Sequence, residues 1–135
     1  MDWSVNYLAV LVTAVVIFLL GGLWYSPLLF AKKWVALQGK SAEEMSGGAK
    51  PSLYVQVFIC GLLSAWVMGL ITRHMPLPSV AHGVLAGALL WLGFAGPTSY
   101  GTALFSFKPK ALWAIDSGFN LVSFLIAGAI LTVWR

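Results

Sequence analysis

Four apolar stretches constrain this chain more than any other feature, because each is about as long as the roughly 20 residues a helix needs to cross a bilayer. They run from about Val5 to Tyr25, Leu53 to Ile71, Val80 to Tyr100 and Leu112 to Trp134. The rest of the 135 residues can do little to offset them, since the chain has only 8 basic and 4 acidic side chains. An average soluble domain is about 25 % charged; this one is 9 % charged and 60 % hydrophobic. That excludes a water-soluble enzyme, and it excludes disorder. Each span must be a helix, because lipid cannot satisfy an open backbone. The expectation is an all-α integral membrane protein, a four-helix bundle forming one domain over residues 1–135.

The connections differ in kind. The first is long and polar, the second is a tight turn on Met75-Pro76-Leu77-Pro78, and the third is short and carries Lys108-Pro109-Lys110. In the first, Ser26 to Gln38 opens with Pro27 at a helix-starting position. It mixes Leu28, Leu29, Trp34, Val35 and Leu37 with Lys32 and Lys33, which suits a short interfacial helix. Gly39 would stop it. Ser41-Ala42-Glu43-Glu44 then has the spacing of a capping box, and Gly47-Gly48 would end that segment. The N-terminus has Asp2 and no early Lys or Arg, so the first span is expected to be a retained helix and not a signal peptide.

The net charge is +4, and its distribution gives an orientation. Lys32, Lys33, Lys40, Lys50, Lys108 and Lys110 lie on one side, against Arg73 and Arg135 on the other. By the positive-inside rule the lysine loops face the cytoplasm and both termini face outward. That placement explains the basic balance without nucleic acid. It also puts Lys32, Lys33, Lys108 and Lys110 near anionic headgroups. Trp3 and Trp134 mark the outer interface, Trp24 and Trp113 the inner one. Cys60 is a lone residue in an apolar run and reads as a small buried hydrophobe.

A weak repeat relates the two halves. Tyr25, Phe30, Lys33 and Trp34 follow the first span as Tyr100, Phe105, Lys108 and Trp113 follow the third. This is the pattern of a parallel duplication, or of two ordinary interfacial belts.

Residues 21 to 34, Gly-Gly-Leu-Trp-Tyr-Ser-Pro-Leu-Leu-Phe-Ala-Lys-Lys-Trp, resemble the signature of a bacterial membrane family named only as domain of unknown function seventeen sixty-one. Leu90-Trp91-Leu92-Gly93-Phe94 and Ile115-Asp116-Ser117-Gly118-Phe119 look like its later blocks, in the expected order. Phe119 stands where Tyr is expected, and Ser41 to Lys50 fit no block. The resemblance implies a small multi-helix protein of the bacterial cytoplasmic membrane. It implies no activity.

Small residues mark candidate helix contacts. Gly61, Ala65 and Gly69 are four apart in the second span, Gly83 and Gly87 in the third, and Ala114 and Gly118 in the fourth. In the third span Pro97 lacks an N–H and conflicts with the Gly93 carbonyl, so a kink is expected there, softened by Gly96. The hydroxyls of Thr98, Ser99, Tyr100 and Thr102 follow it. They suit either the carbonyls a kink would free or the lining of a cavity. Asp116 is the only acid in or near a span. It fits the first turns of a helix, where the macrodipole and Lys108 or Lys110 would stabilise it, and it equally fits an ion or substrate path.

Tyr25, Ser26, Gln56, Thr98, Ser99, Tyr100, Asp116 and Asn120 all fall in the cytoplasmic half. They define a candidate inward-facing pocket, with Asp116 pointing toward the third span and Pro97 as hinge. His74 and His82 are too few for a metal site, and no cofactor or catalytic motif is present. The expected role is an oligomeric carrier or channel. The alternative is a non-catalytic accessory or scaffold subunit of a larger membrane complex.

Overall fold

The computed structural model describes residues 2–48 and 50–135, and side chains there except those of residues 42, 46 and 48. Four helices are long and apolar enough to cross a membrane. They are α1 (Tyr7–Trp24), α4 (Pro51–Arg73), a continuous third span over Val80–Phe105, and α7 (Lys110–Val133). Two short helices, α2 (Ala31–Gln38) and α3 (Ala42–Gly48), occupy the first connection.

Local chemistry sets most of the helix ends. The Asn6 side chain accepts from the Ala9 N–H at 3.1 Å and starts α1, as an N-cap should. Ser79 does the same for the third span, accepting from the His82 N–H at 3.2 Å. Pro51 opens α4, where a missing N–H costs nothing. Gly39, at φ 71°, ends α2 in the left-handed conformation that glycine tolerates best. The Ser41 hydroxyl accepts from the Glu44 N–H at 3.1 Å, as the capping spacing predicts. Two expectations shift. Pro27 lies in a turn, and the helix opens only at Ala31. α3 runs on through Gly47 to Gly48.

The third span is not broken at Pro97. It consists of α5 (Val80–Leu90), one π turn over Trp91–Ala95 and α6 (Gly96–Phe105). The Gly96 N–H bonds the Trp91 carbonyl, five residues back. This extra residue in the turn places Pro97 in the first turn of α6, where its ring and missing N–H are harmless. The span continues past Tyr100, to Phe105. It ends with Phe107 at φ 55° and a Lys108 N–H to Ala103 carbonyl bond of 3.0 Å.

The tightest packing is between α5 and α7. A Cβ at Gly83 would overlap the Gly128 carbonyl and come within 2.6 Å of the Thr132 hydroxyl. One at Gly87 would overlap the Phe124 carbonyl, and one at Gly128 the Gly83 carbonyl. The helices therefore meet backbone to backbone, as small residues permit in membranes. Gly83 and Gly87 stand where expected; Gly128 completes the contact.

The core gathers at the end that holds the termini. Val5, Ala9 and Val10 pack with Ala65, Met68, Leu70, Ala127 and Leu131. Ala65 is fully buried, and Gly69 faces Val5 and Val10 at 3.5 and 3.6 Å. Arg135 closes this end by donating to the carbonyls of Thr72 and Met75 at 2.5 and 2.9 Å. Arg73 pairs with Asp2 at 3.3 Å. Hydrogen bonds from the Ser4 N–H and hydroxyl hold the Asp2 carboxyl below the usual carboxylate range.

The other end is splayed. From Leu53 to Ser64, α4 is exposed apart from half-buried Phe58, Gly61 and Leu62, and α4 and α5 scarcely touch. Here the small-residue stripe misleads, because a Cβ at Gly61 would meet nothing within 4 Å. Gly61 borders open space and packs on no helix.

Candidate functional site

That open space is a cleft of about 1000 Å³ between α4 on one side and α1, the third span and α7 on the other. Its walls are mostly apolar and aromatic, including Phe18, Phe58, Phe94, Phe119 and Phe124. Polar side chains are few: Tyr25, Trp34 and Tyr54 toward the splayed end, and Ser64, Thr98, Asn120 and Ser123 along the walls. Among the described residues no Asp, Glu, Lys, Arg or His lines it. The packed core closes the cleft toward the termini.

Beside the cleft, an aromatic node joins α1, α2 and α7. The Asp116 Oδ1 accepts from the Tyr25 hydroxyl at 2.6 Å and from the Trp34 indole N–H at 3.0 Å. Trp24 donates to the Ile115 carbonyl and Trp91 to the Ser117 carbonyl, both at 2.9 Å. Gly21 and Gly118 make room for this. A Cβ on Gly21 would lie 3.3 Å from Phe119, and one on Gly118 would lie 3.3 Å from Trp24. Tyr25 also packs on Phe119 at 5.8 Å and edge-on to Trp34 at 5.4 Å. Indole and phenol groups held in a membrane need partners for their polar tips. Two carbonyls and one carboxylate in a single stretch of α7 supply four.

The sequence-predicted pocket residues therefore separate into groups. Tyr25, Thr98 and Asn120 line the cleft. Asp116 points to Tyr25 and α2, and not to the third span as expected, because two aromatic donors from the first connection claim its carboxylate. Among the described residues it forms no ion pair with Lys108 or Lys110. Ser99 and Tyr100 face Trp113: the indole donates to the Ser99 hydroxyl at 2.9 Å, and the Tyr100 ring lies 4.8 Å from it. Gln56 is exposed outside the cleft. Thr98 bonds the Phe94 carbonyl, Ser99 the Ala95 carbonyl at 2.6 Å and Thr102 the Thr98 carbonyl at 3.1 Å. These hydroxyls satisfy backbone around the π turn. Gly93 meets nothing within 4 Å, while Gly96 sits against Trp91.

Sequence reasoning missed Trp34, Trp91 and Ser123 as part of this region. Trp34 and Trp91 both belong to the signature blocks, and Trp34 also to the interfacial helix and the weak repeat, but none of these tied them to Asp116 and Ser117. The Tyr and Trp of each half of the weak repeat meet edge to face. Tyr25 and Trp34 cross at 67°, Tyr100 and Trp113 at 66°. Among the described residues no group of three or more His, Cys, Asp or Glu could hold a metal ion.

Fold and site together define a multi-pass helical membrane protein with a laterally open cleft. A family model described as protein of unknown function (DUF1761) matches residues 8–132, and the chain belongs to that family. No curated protein matches it, and no solved structure does. The three sequence blocks that resemble the family's signature meet at one place: residues 21–34 dock on residues 115–119, and Trp91 bonds the same stretch.

Proposed function

We propose that the protein is a small, non-catalytic membrane carrier whose cargo enters from the bilayer through the side of the cleft. The cleft carries this reading. It is wide at the lysine-rich end and closed at the other by packed side chains, as a pathway open to one side would be. Its apolar walls suit a lipid-like molecule better than a bare ion. A single chain leaves the cleft open along one side, so a symmetric homo-oligomer would complete a pathway. In the bacterial cytoplasmic membrane Lys32, Lys33, Lys108 and Lys110 would sit among anionic headgroups.

Gly61 tests the cleft because a side chain there enters open space. Wild-type protein purified in mild detergent should retain bound lipid by native mass spectrometry. Gly61→Phe should fold normally and lose it. Equal retention in both would remove the cleft as a binding site. Purification with unrelated subunits and no retained lipid would favour an accessory role, for which the unpartnered face of α4 is the best candidate contact.

The orientation follows from charge. A cysteine at Pro78 in a Cys60→Ala background should react with an impermeant maleimide in intact cells, and one at Gly47 should not. Labelling at Gly47 would reverse the topology.

A further inference from the structure

Three polar side chains in the cleft lie far from either membrane surface. At about 1.5 Å per residue, Asn120 is about 15 Å from the inner end of α7, and Ser123 about 20 Å. Ser64 is about 20 Å from the inner end of α4 by the same measure. A hydrocarbon core is about 30 Å thick, so all three sit near its middle. Asn120 is exposed on the cleft, and its carboxamide bonds no described residue. Ser123 is 4 % exposed beside it in the cleft wall; its hydroxyl oxygen is covered by the surrounding helices and bonds no described residue. Polar groups left unpartnered at that depth are unfavourable.

We propose that the cleft seats the head of a neutral lipophile at mid-membrane depth, with Asn120 as its hydrogen-bonding partner, Ser123 beside it in the wall and Ser64 facing it from α4. The proposal rests on the cleft-binding reading above and specifies its ligand. Asn120 and Ser123 are three apart on one helix face, so their side chains are neighbours. Both side chains can donate as well as accept, and their N–H and O–H groups can serve acceptor oxygens on the ligand. Among the described residues none that is charged lines the cleft, so an ionic head would lie there uncompensated. Phe94, Phe119 and Phe124 supply ring faces and edges around the same cleft. A flat carbonyl-bearing ring on an aliphatic tail, the chemistry of a quinone, meets all of these conditions.

Two probes separate the head from the tail. Decylubiquinone carries the carbonyl ring; 1-bromododecane carries a tail and a quenching atom but no hydrogen-bonding head. Each is titrated into purified protein in detergent, and binding is read by quenching of tryptophan fluorescence, Trp34 being in the cleft wall. Both should bind saturably to wild type and weakly to Gly61→Phe. Asn120→Leu with Ser123→Ala should raise the Kd for decylubiquinone at least tenfold and leave 1-bromododecane unchanged. Asn120→Leu alone changes an exposed residue, keeps the packing and should give most of that effect. If both probes bind wild type and neither variant alters the quinone, the head-group site is wrong and the cleft reading stands. If neither probe saturates, or Gly61→Phe changes nothing, the cleft reading fails and the head-group site with it.

Discussion

Replacing Gly83 by leucine should force α5 and α7 apart and leave the protein unable to hold its bundle. The obstacle is backbone. Even a methyl at this position overlaps the Gly128 carbonyl and crowds the Thr132 hydroxyl, and the carbonyl cannot rotate away as a flexible side chain would. Overpacking in ordinary cores costs about 1–3 kcal/mol; a rigid main-chain obstacle places this variant at about 3 kcal/mol or more. Against a total stability of about 5–15 kcal/mol that is severe. α5 has no second firm contact to fall back on, because it scarcely touches α4. Denaturation by SDS in micelles, followed by circular dichroism, should show a large loss of midpoint for Gly83→Leu. Gly61→Leu should show almost none, since nothing lies within 4 Å of a Cβ there. Equal midpoints for Gly83→Leu and wild type would mean that the α5–α7 contact is not what holds the bundle.

Asp116→Leu should release α2 from the bundle. The carboxylate takes hydrogen bonds from Tyr25 and Trp34, and bonds to a charged partner are worth about 1.5–3 kcal/mol each. The two are not additive, and relieving the buried charge offsets part of the loss, so about 2 kcal/mol of docking energy is expected to go. That corresponds to about 30-fold in the population of the opened segment. Trypsin should then cut at Lys32, Lys33 and Lys40 about 30 times faster, as cleavage of an opened segment tracks its population. Asp116→Asn keeps an acceptor oxygen in place and loses only the charge assistance, so it should fall between the two. Trp24 still bonds the Ile115 carbonyl in both variants, which keeps the end of α1 in place and confines the change to α2. An unchanged cleavage rate in Asp116→Leu would show that α2 is held by packing alone.

The membrane spans were legible because hydropathy is a property of single residues summed along the chain. The cap at Ser41 and the stop at Gly39 are equally local: each depends on one side chain or one φ angle. Pro97 was only half legible. Its conflict with the residue four back is fixed by covalent geometry. Whether a helix answers with a kink or a π turn depends on what surrounds it, and here Gly96 and Trp91 allow the turn.

Gly61, Gly83 and Gly87 mark the limit of a spacing argument. Each belongs to a small-residue stripe, and a stripe records only that a helix face is smooth. Gly83 and Gly87 meet α7 because Gly128 offers a second smooth surface to receive them; Gly61 meets an empty cleft. Asp116 shows the same division. Its depth follows from its position along α7, but its direction was set by Tyr25 and Trp34, more than 80 residues away in the chain. By itself, then, the sequence determined the number of spans, where most of the helices begin and end, and how deep each polar residue lies, because these depend on neighbours along the chain. Only the tertiary structure decided which helix faces close on one another, that α4 splays to open a cleft, and that the signature blocks meet at residues 115–119. Those outcomes depend on surfaces that come together only when distant segments pack.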